Sequence, residues 1–401
     1  MHVLIVISMF CFSAYALFAK RLLQSVLTAP IFFLGLGYLL SFLNIEPLQN
    51  VEAMLHLVAE LALIIVLFVD ASLIDFSALK KRHIWPQRML LLGLPLTVLL
   101  GTAVTVLLFP SWSIFAAALV ASILAPTDAA LGQAVISNAS VPIEERRALT
   151  VESGLNDGLA LPMVLFFACT LAVIGKEYSG SFLLFTAEQL VLGPIVGIVL
   201  GWLGANALLF AVDKQPTEFK YEGISVIALA VASYALADLV NGNGFIAAFS
   251  AGLAFGAVVK KRAAQVSEFV DSEGQILIWL AFLLIGLVLL PKAIGMLTIP
   301  MFTLIMLSLL VVRPLAIWIS LIGTDAPPLA RLFFGWFGPR GLATALFALL
   351  IVGDINDAYS ETILVIAINA VWISALLHGV SAAPGAAWYA RTLELNNQVK
   401  K

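Results

Sequence analysis

The chain has 401 residues, of which 62% are hydrophobic and only 11% charged, with a formal net charge of −3 and a mean hydropathy of +1.07. Soluble domains carry about a quarter charged residues, so this composition excludes a water-soluble globular protein and marks a polytopic membrane protein. The small net charge says nothing about partners, and the lipid bilayer rather than a nucleic acid is the expected surrounding.

A helix needs about 20 residues to cross the hydrocarbon core. The chain offers thirteen candidate spans: 2–19, 27–43, 51–75, 88–109, 112–138, 146–174, 183–211, 222–240, 243–259, 273–290, 296–321, 329–352 and 359–378. The first is preceded only by Met1 and His2 and followed by Lys20-Arg21, which favours a retained helix with an outer N-terminus over a signal peptide. Odd-numbered loops hold Lys20/Arg21, Lys80/Lys81/Arg82/Arg88, Arg146/Arg147, Lys214/Lys220, Lys260/Lys261/Arg262 and Arg331, whereas even-numbered loops hold only Lys176 and Lys292. The positive-inside rule then puts the odd loops and the C-terminus, with Arg391, Lys400 and Lys401, in the cytoplasm of a cell with this chain in its (inner) membrane. Cys11 and Cys169 sit in apolar runs and support neither a disulfide framework nor a metal site. Residues 385–401 read as a short polar cytoplasmic tail, and no sizeable soluble domain is expected.

Two spans are interrupted. Ala125-Pro126-Thr127-Asp128 breaks the fifth, and Gly338-Pro339-Arg340-Gly341 the twelfth. Proline removes a backbone donor and frees a carbonyl. Six segments on either side of a seventh, linking one put the two breaks at equivalent positions, as inverted repeats do in transporters. The expected fold is therefore all-α and polytopic, about thirteen transmembrane helices in inverted six-helix repeats with two crossed discontinuous helices. Asp128 would complement the positive half-helix ends and Arg340 the negative ones.

The sixth span carries Glu152-Ser153-Gly154-Leu155-Asn156-Asp157-Gly158, with Pro162 beyond. At 3.6 residues per turn Ser153 and Asp157 share one stripe, and Glu152 and Asn156 the stripe beside it. Charges at this depth cost about 2.5–3.5 kcal/mol even on the mildest scale, so they are usually functional. Arg313, in Val312-Arg313-Pro314, and Arg340 each require a carboxylate, for which Glu152 and Asp128 are the economical choices. Asp157 then remains the acid without a committed cation and the best candidate for exchanging a bound metal ion against a proton. Asp128, Thr127, Ser153 and nearby carbonyls supply the further oxygens that a hard monovalent cation needs.

Other polar residues carry weaker signals. Asp70, near the end of the third span, lines an entry funnel or snorkels to the interface, as Asp75 does; Glu60 and Glu188 face a water path, a subunit interface or neither. Asp238 is solvated at a span end, Asn369 pairs with a half-helix backbone, and His56 and His378 are interfacial.

Thr127-Asp128, the Glu152-Ser153-x-x-Asn156-Asp157 block, Arg313-Pro314 and Gly338-x-Arg340-Gly341 together resemble the motifs of monovalent cation:proton antiporters, in the NhaP-type and sodium/proton-exchanger branch. The resemblance extends over essentially the whole chain. It implies that Asp157 carries cation and proton in turn, with Asp128, Thr127, Ser153 and Asn156 at the site. It further implies that Glu152 pairs with Arg313, that Arg340 stabilises the crossed helices, and that Asp70 is a funnel carboxylate. The Asn156-Asp157 pair implies electroneutral exchange of one Na⁺, or K⁺ or Li⁺, for one proton. The family's fold implies a homodimer in which core segments 88–182 and 296–384 move against a scaffold of 1–87 and 183–295, with 385–401 as the tail. The sequence departs from the family at Thr127-Asp128-Ala129, where the usual proline stands ahead, at Pro126, and regulation by a large tail like that of the animal exchangers is not expected.

The rival readings are a cation-coupled solute symporter and a cation channel. An intramembrane aspartyl protease built on Asp128 and Asp157 lacks its Gly-x-Gly-Asp signature, since Leu155-Asn156 precedes Asp157. No enzymatic activity and no cofactor are expected beyond the transported ions.

Overall fold

The computed structural model describes residues 2–22, 27–43, 51–74, 84–136, 138, 140–171, 182–214, 217–353, 355 and 357–399. Asp75, Lys80, Lys81, Arg82, Lys176, Lys400 and Lys401 lie outside the described residues. In chain order the helices are α1 (His2–Leu22), α2 (Ala29–Ser41), α3 (Val51–Ser72), α4 (Ile84–Leu108), α5 (Ile114–Ile123), α6 (Ala129–Ile136), α7 (Ile143–Leu171) and α8 (Phe182–Asp213). There follow α9 (Phe219–Leu239), α10 (Gly244–Val259), α11 (Lys261–Leu284, which runs on to Gly295), α12 (Ile299–Ser320), α13 (Pro328–Trp336), α14 (Leu342–Ile351) and α15 (Asp357–Val399).

Among the described residues every regular element is a helix, and nine helices are long and apolar enough to cross a membrane. The chain is a multi-pass membrane protein. Four shorter apolar helices, α2, α5, α10 and α14, fall within the remaining expected spans. The eighth and ninth spans divide where the sequence suggested. Asn241 takes the left-handed conformation (φ 60°), and Asn243 caps α10 by accepting from the Ile246 N–H at 3.0 Å.

Three long helices contain a π turn that the sequence reading did not anticipate: Met89–Gly93 in α4, Ile285–Leu289 in the continuation of α11, and Ser308–Val312 in α12. Each is followed two residues later by a proline, Pro95, Pro291 or Pro314. A proline ring clashes with the carbonyl four residues before it, and a widened turn relieves that clash without ending the helix. The third of these turns delivers Arg313 into the protein interior.

Close helix contact depends on small residues, as is usual in lipid. A Cβ on Gly197 or Gly201 of α8 would stand 2.2 Å from the Ala247 or Ala251 carbonyl oxygen of α10. Gly252 and Gly256 of α10 meet the Phe68 and Ser72 carbonyls of α3 just as closely, at 2.2 and 2.1 Å. Through this stack α10 holds α3, and with it Asp70, against α7.

The last helix differs from expectation. The polar stretch after residue 385 continues α15, which is 43 residues long with Pro384 inside it. Tyr389 is buried and donates to Glu145 Oε1 at 2.8 Å, and its ring stacks on Phe333 at 4.1 Å between centroids. These contacts dock the helix end on α7 and α13, which a reading by hydropathy alone misses.

Candidate functional site

Both interrupted spans are broken where proline and glycine predicted. Residues 124–128 separate α5 from α6, and residues 337–341 separate α13 from α14. The two breaks touch: the Asp128 N–H donates to the Pro339 carbonyl at 2.8 Å. Four half-helix ends therefore meet inside the protein, and each leaves backbone groups without helical partners.

Side chains complete those ends according to charge. Asp128 Oδ2 accepts from the Leu342 N–H at the start of α14 (2.9 Å), and Oδ1 from the Leu131 N–H in the first turn of α6 (3.4 Å). Arg340 is fully buried, and its Nη1 donates to the Ala125 and Pro126 carbonyls after α5, at 2.7 and 3.0 Å. The anion meets N-termini and the cation meets carbonyls, as the helix dipoles require. The sequence reading offered Asp128 as a partner for Arg340; the hydrogen bonds just given take each of them to backbone instead.

Glycine permits this approach. A Cβ on Gly341 would lie 1.7 Å from Asp128 Oδ2, and one on Gly338 would lie 1.6 Å from Arg313 Nε. Gly341→Ala is accordingly expected to push Asp128 off the Leu342 N–H, lowering the melting temperature of the purified protein. An unchanged melting curve would refute the close approach.

Glu152 and Arg313 form a bidentate buried pair, Nη1 to Oε1 at 3.0 Å and Nη2 to Oε2 at 3.1 Å, with both side chains 4% exposed. Thr127 links this pair to the α7 stripe. Its hydroxyl donates to Glu152 Oε2 (3.3 Å), lies 3.2 Å from Ser153 Oγ, and accepts from Asn156 Nδ2. Thr127, Glu152, Ser153 and Asn156 thus form one connected cluster, with the Ser153 hydroxyl free to donate to Thr127.

Asp157 occupies the next turn of α7 and is also buried. Among the described residues, its Oδ1 and the adjacent Asn156 Oδ1 are buried acceptors with no hydrogen-bond partner. Asp70, Asp128 and Glu152 lie within electrostatic reach of Asp157. Gly154 packs towards Asp70, 3.7 Å from where its Cβ would be to that of the aspartate, and Gly158 lies under the Phe249 ring of α10. Buried acceptor oxygens without donors suit a hard cation or a proton, because either one supplies the missing positive charge.

The weaker candidates are dispersed. Glu60 lies within electrostatic reach of the Tyr234 hydroxyl, while Glu188 and Asp238 are exposed. Asn369 does not reach an interrupted helix: its Nδ2 donates to the Ala293 and Val365 carbonyls at 2.7 and 2.8 Å. Ala293 is in the last turn of its helix, where carbonyls lack helical donors. His378, expected at an interface, is buried instead, because α15 extends a further two dozen residues beyond the ordinary span length assumed for it. Thr344 and Ser374, both buried at the crossing, were not singled out at all. A lone hydroxyl in an apolar helix gives no signal in one sequence.

Residues 6–388 match the family described as "Sodium/hydrogen exchanger, transmembrane". The chain belongs to the sodium/hydrogen exchanger family. Among its relatives, the K(+)/H(+) antiporter NhaP of Alkalimonas amylolytica is 28% identical over 384 residues, covering 92% of this chain and 64% of that protein. The K(+)/H(+) antiporter NhaP2 of Shewanella oneidensis is 27% identical over 301 residues, covering 73% of this chain and 50% of that protein. The chain therefore spans between half and about two thirds of the length of these relatives. In fold it resembles the sodium proton antiporter MjNhaP1 of Methanocaldococcus jannaschii, solved at pH 8, with a TM-score of 0.81 at 19% identity over 97% of this chain and 99% of that one. The antiporter fold expected from the broken spans is thus the fold of this chain.

Proposed function

We propose that this protein is a membrane antiporter, not an enzyme, that exchanges one monovalent cation for one proton by alternating access. The observation that carries the reading is the division of the buried acids. Glu152 is committed to Arg313, while Asp157 keeps an acceptor oxygen without a donor among the described residues. Asp157 is then the carrier, with Asp128, Thr127, Ser153 and Asn156 forming or supporting the site and Asp70 on the approach to it. A single carboxylate holds a cation or a proton, so each loaded form is neutral at that site and crosses, whereas the empty anion does not. Electroneutral exchange follows from that count. No cofactor takes part.

The curated relatives named above are K(+)/H(+) antiporters, and the Methanocaldococcus proteins similar to this chain carry Na(+)/H(+) or sodium proton names. Both ions therefore belong in the test, together with Li⁺. In the proposed arrangement residues 88–182 and 296–384 form the moving core and residues 1–87 and 183–295 the scaffold of a homodimer. The N-terminus is outside and the C-terminus cytoplasmic in a cell membrane.

Cation-driven proton flux in proteoliposomes under an imposed voltage tests the reading. The expected result is saturable exchange whose rate does not change between 0 and about 100 mV, although a single uncompensated charge would feel about 2.3 kcal/mol across that potential. Strong voltage dependence would overturn electroneutrality, and non-saturable flux needing no counter-ion would favour a channel.

A further inference from the structure

The break between α13 and α14 is bridged from the side. In an unbroken helix the Trp336 carbonyl would accept from the Arg340 N–H, four residues on. Here those two groups are joined through α15. The Arg340 N–H donates to Ser374 Oγ at 2.7 Å, Ser374 Oγ lies 3.1 Å from His378 Nδ1, and His378 Nε2 lies 2.9 Å from the Trp336 carbonyl oxygen. Ser374 and His378 are 0% and 3% exposed and one turn apart on α15. His378 Nδ1 also lies 2.9 Å from the Ser374 carbonyl oxygen, so the ring faces two carbonyls and one neutral tautomer can donate to only one of them. The bridge across the break uses the tautomer with its proton on Nε2, in which Nε2–H donates to Trp336 and the Ser374 hydroxyl donates to Nδ1, leaving the Ser374 carbonyl without that donor.

We propose that Ser374 and His378 are positioning residues that replace the missing helical hydrogen bond and set the geometry of the cation and proton site. The inference deepens the antiport reading and rests on it. The route is short. The bridge fixes the backbone of Arg340, and the Arg340 side chain holds the Ala125 and Pro126 carbonyls. Two residues further on, the Leu342 N–H holds Asp128. Loosening the bridge shifts both contacts with the α5–α6 break and so the oxygens around Thr127 and Asp157. The Trp336 ring lies 5.5 Å from the imidazole, and its Nε1 donates to Ser381 Oγ at 3.0 Å, so α15 grips the end of α13 at two successive turns.

The test compares Ser374→Ala, His378→Leu and His378→Gln in proteoliposomes, with wild type and Asp157→Asn alongside. Glutamine retains a donor and an acceptor at nearly the separation of the two ring nitrogens. Ser374→Ala and His378→Leu are expected to raise the cation KM about tenfold, the size of one lost buried hydrogen bond, in protein that elutes as wild type does. His378→Gln is expected to stay within about threefold of wild type, since its amide remakes both contacts. An unchanged KM in Ser374→Ala and His378→Leu overturns the inference, as does a His378→Gln protein as impaired as His378→Leu. Should His378→Leu fail to fold, Ser374→Ala, which deletes a single oxygen, decides alone. If wild type and Asp157→Asn exchange equally, it is the assignment of the site that has failed.

Discussion

Asp157→Asn is expected to abolish cation-driven proton exchange, to the background of protein-free vesicles, while leaving the melting temperature within a few degrees of wild type. The two effects separate because of what Asp157 touches. Its Oδ1 accepts no hydrogen bond among the described residues, so an isosteric amide removes a charge without removing a contact there. Asparagine can neither release a proton at working pH nor neutralise a monovalent cation. Asp128→Asn provides the contrast. Both Asp128 oxygens accept backbone N–H groups, from Leu131 and Leu342. An amide has one acceptor oxygen where the carboxylate has two, so this variant is expected to lose stability as well as exchange, by about 1–3 kcal/mol for an N–H left unpaired. Purified proteins assayed side by side by thermal unfolding and by dye-reported flux distinguish the two cases. Substantial exchange by Asp157→Asn would remove Asp157 as the carrier.

Much of this arrangement was legible in the sequence because membrane burial makes polar residues conspicuous. Asp128, Glu152, Asp157, Arg313 and Arg340 stand out in a chain only 11% charged, and proline or glycine beside two of them marked the breaks. The interrupted helices fall where the sequence put them, with the site cluster on the helix between. What stayed hidden shares one physical character: it is built from groups that apolar helices carry routinely. The π turns look like ordinary hydrophobic sequence, and only the proline two residues after each offers a clue. Ser374 is one serine among many, and its role depends on a backbone N–H exposed by a break elsewhere in the chain. The extension of α15 past Pro384 depends on Tyr389 finding Glu145, 244 residues away in the sequence. Long-range contacts of that kind leave no periodicity to read.

The largest effect on stability is expected at Glu152. Glu152→Gln leaves the Arg313 guanidinium, 4% exposed, opposite a neutral amide, and breaking a buried pair by removing one partner costs about 3–5 kcal/mol. The melting temperature should fall by several degrees and exchange with it, because Thr127 also hydrogen-bonds to this carboxylate. Arg313→Leu should be milder, since a stranded carboxyl group sheds its charge by taking up a proton, which a guanidinium cannot do. The decisive protein is the double variant, Glu152→Leu with Arg313→Leu. If the pair serves chiefly to neutralise charge, an apolar pair of similar bulk recovers most of the lost stability, as replacing buried ion pairs often does. Exchange should not recover with it. The Thr127 hydroxyl would have lost its carboxylate acceptor, and the Phe334 carbonyl its contact with Arg313 Nη2 at 3.5 Å, so both interrupted helices would be held less firmly. A double variant as stable as wild type but inactive assigns the pair to the geometry of the crossing. One that both folds and exchanges normally would mean that Glu152 and Arg313 contribute nothing to transport.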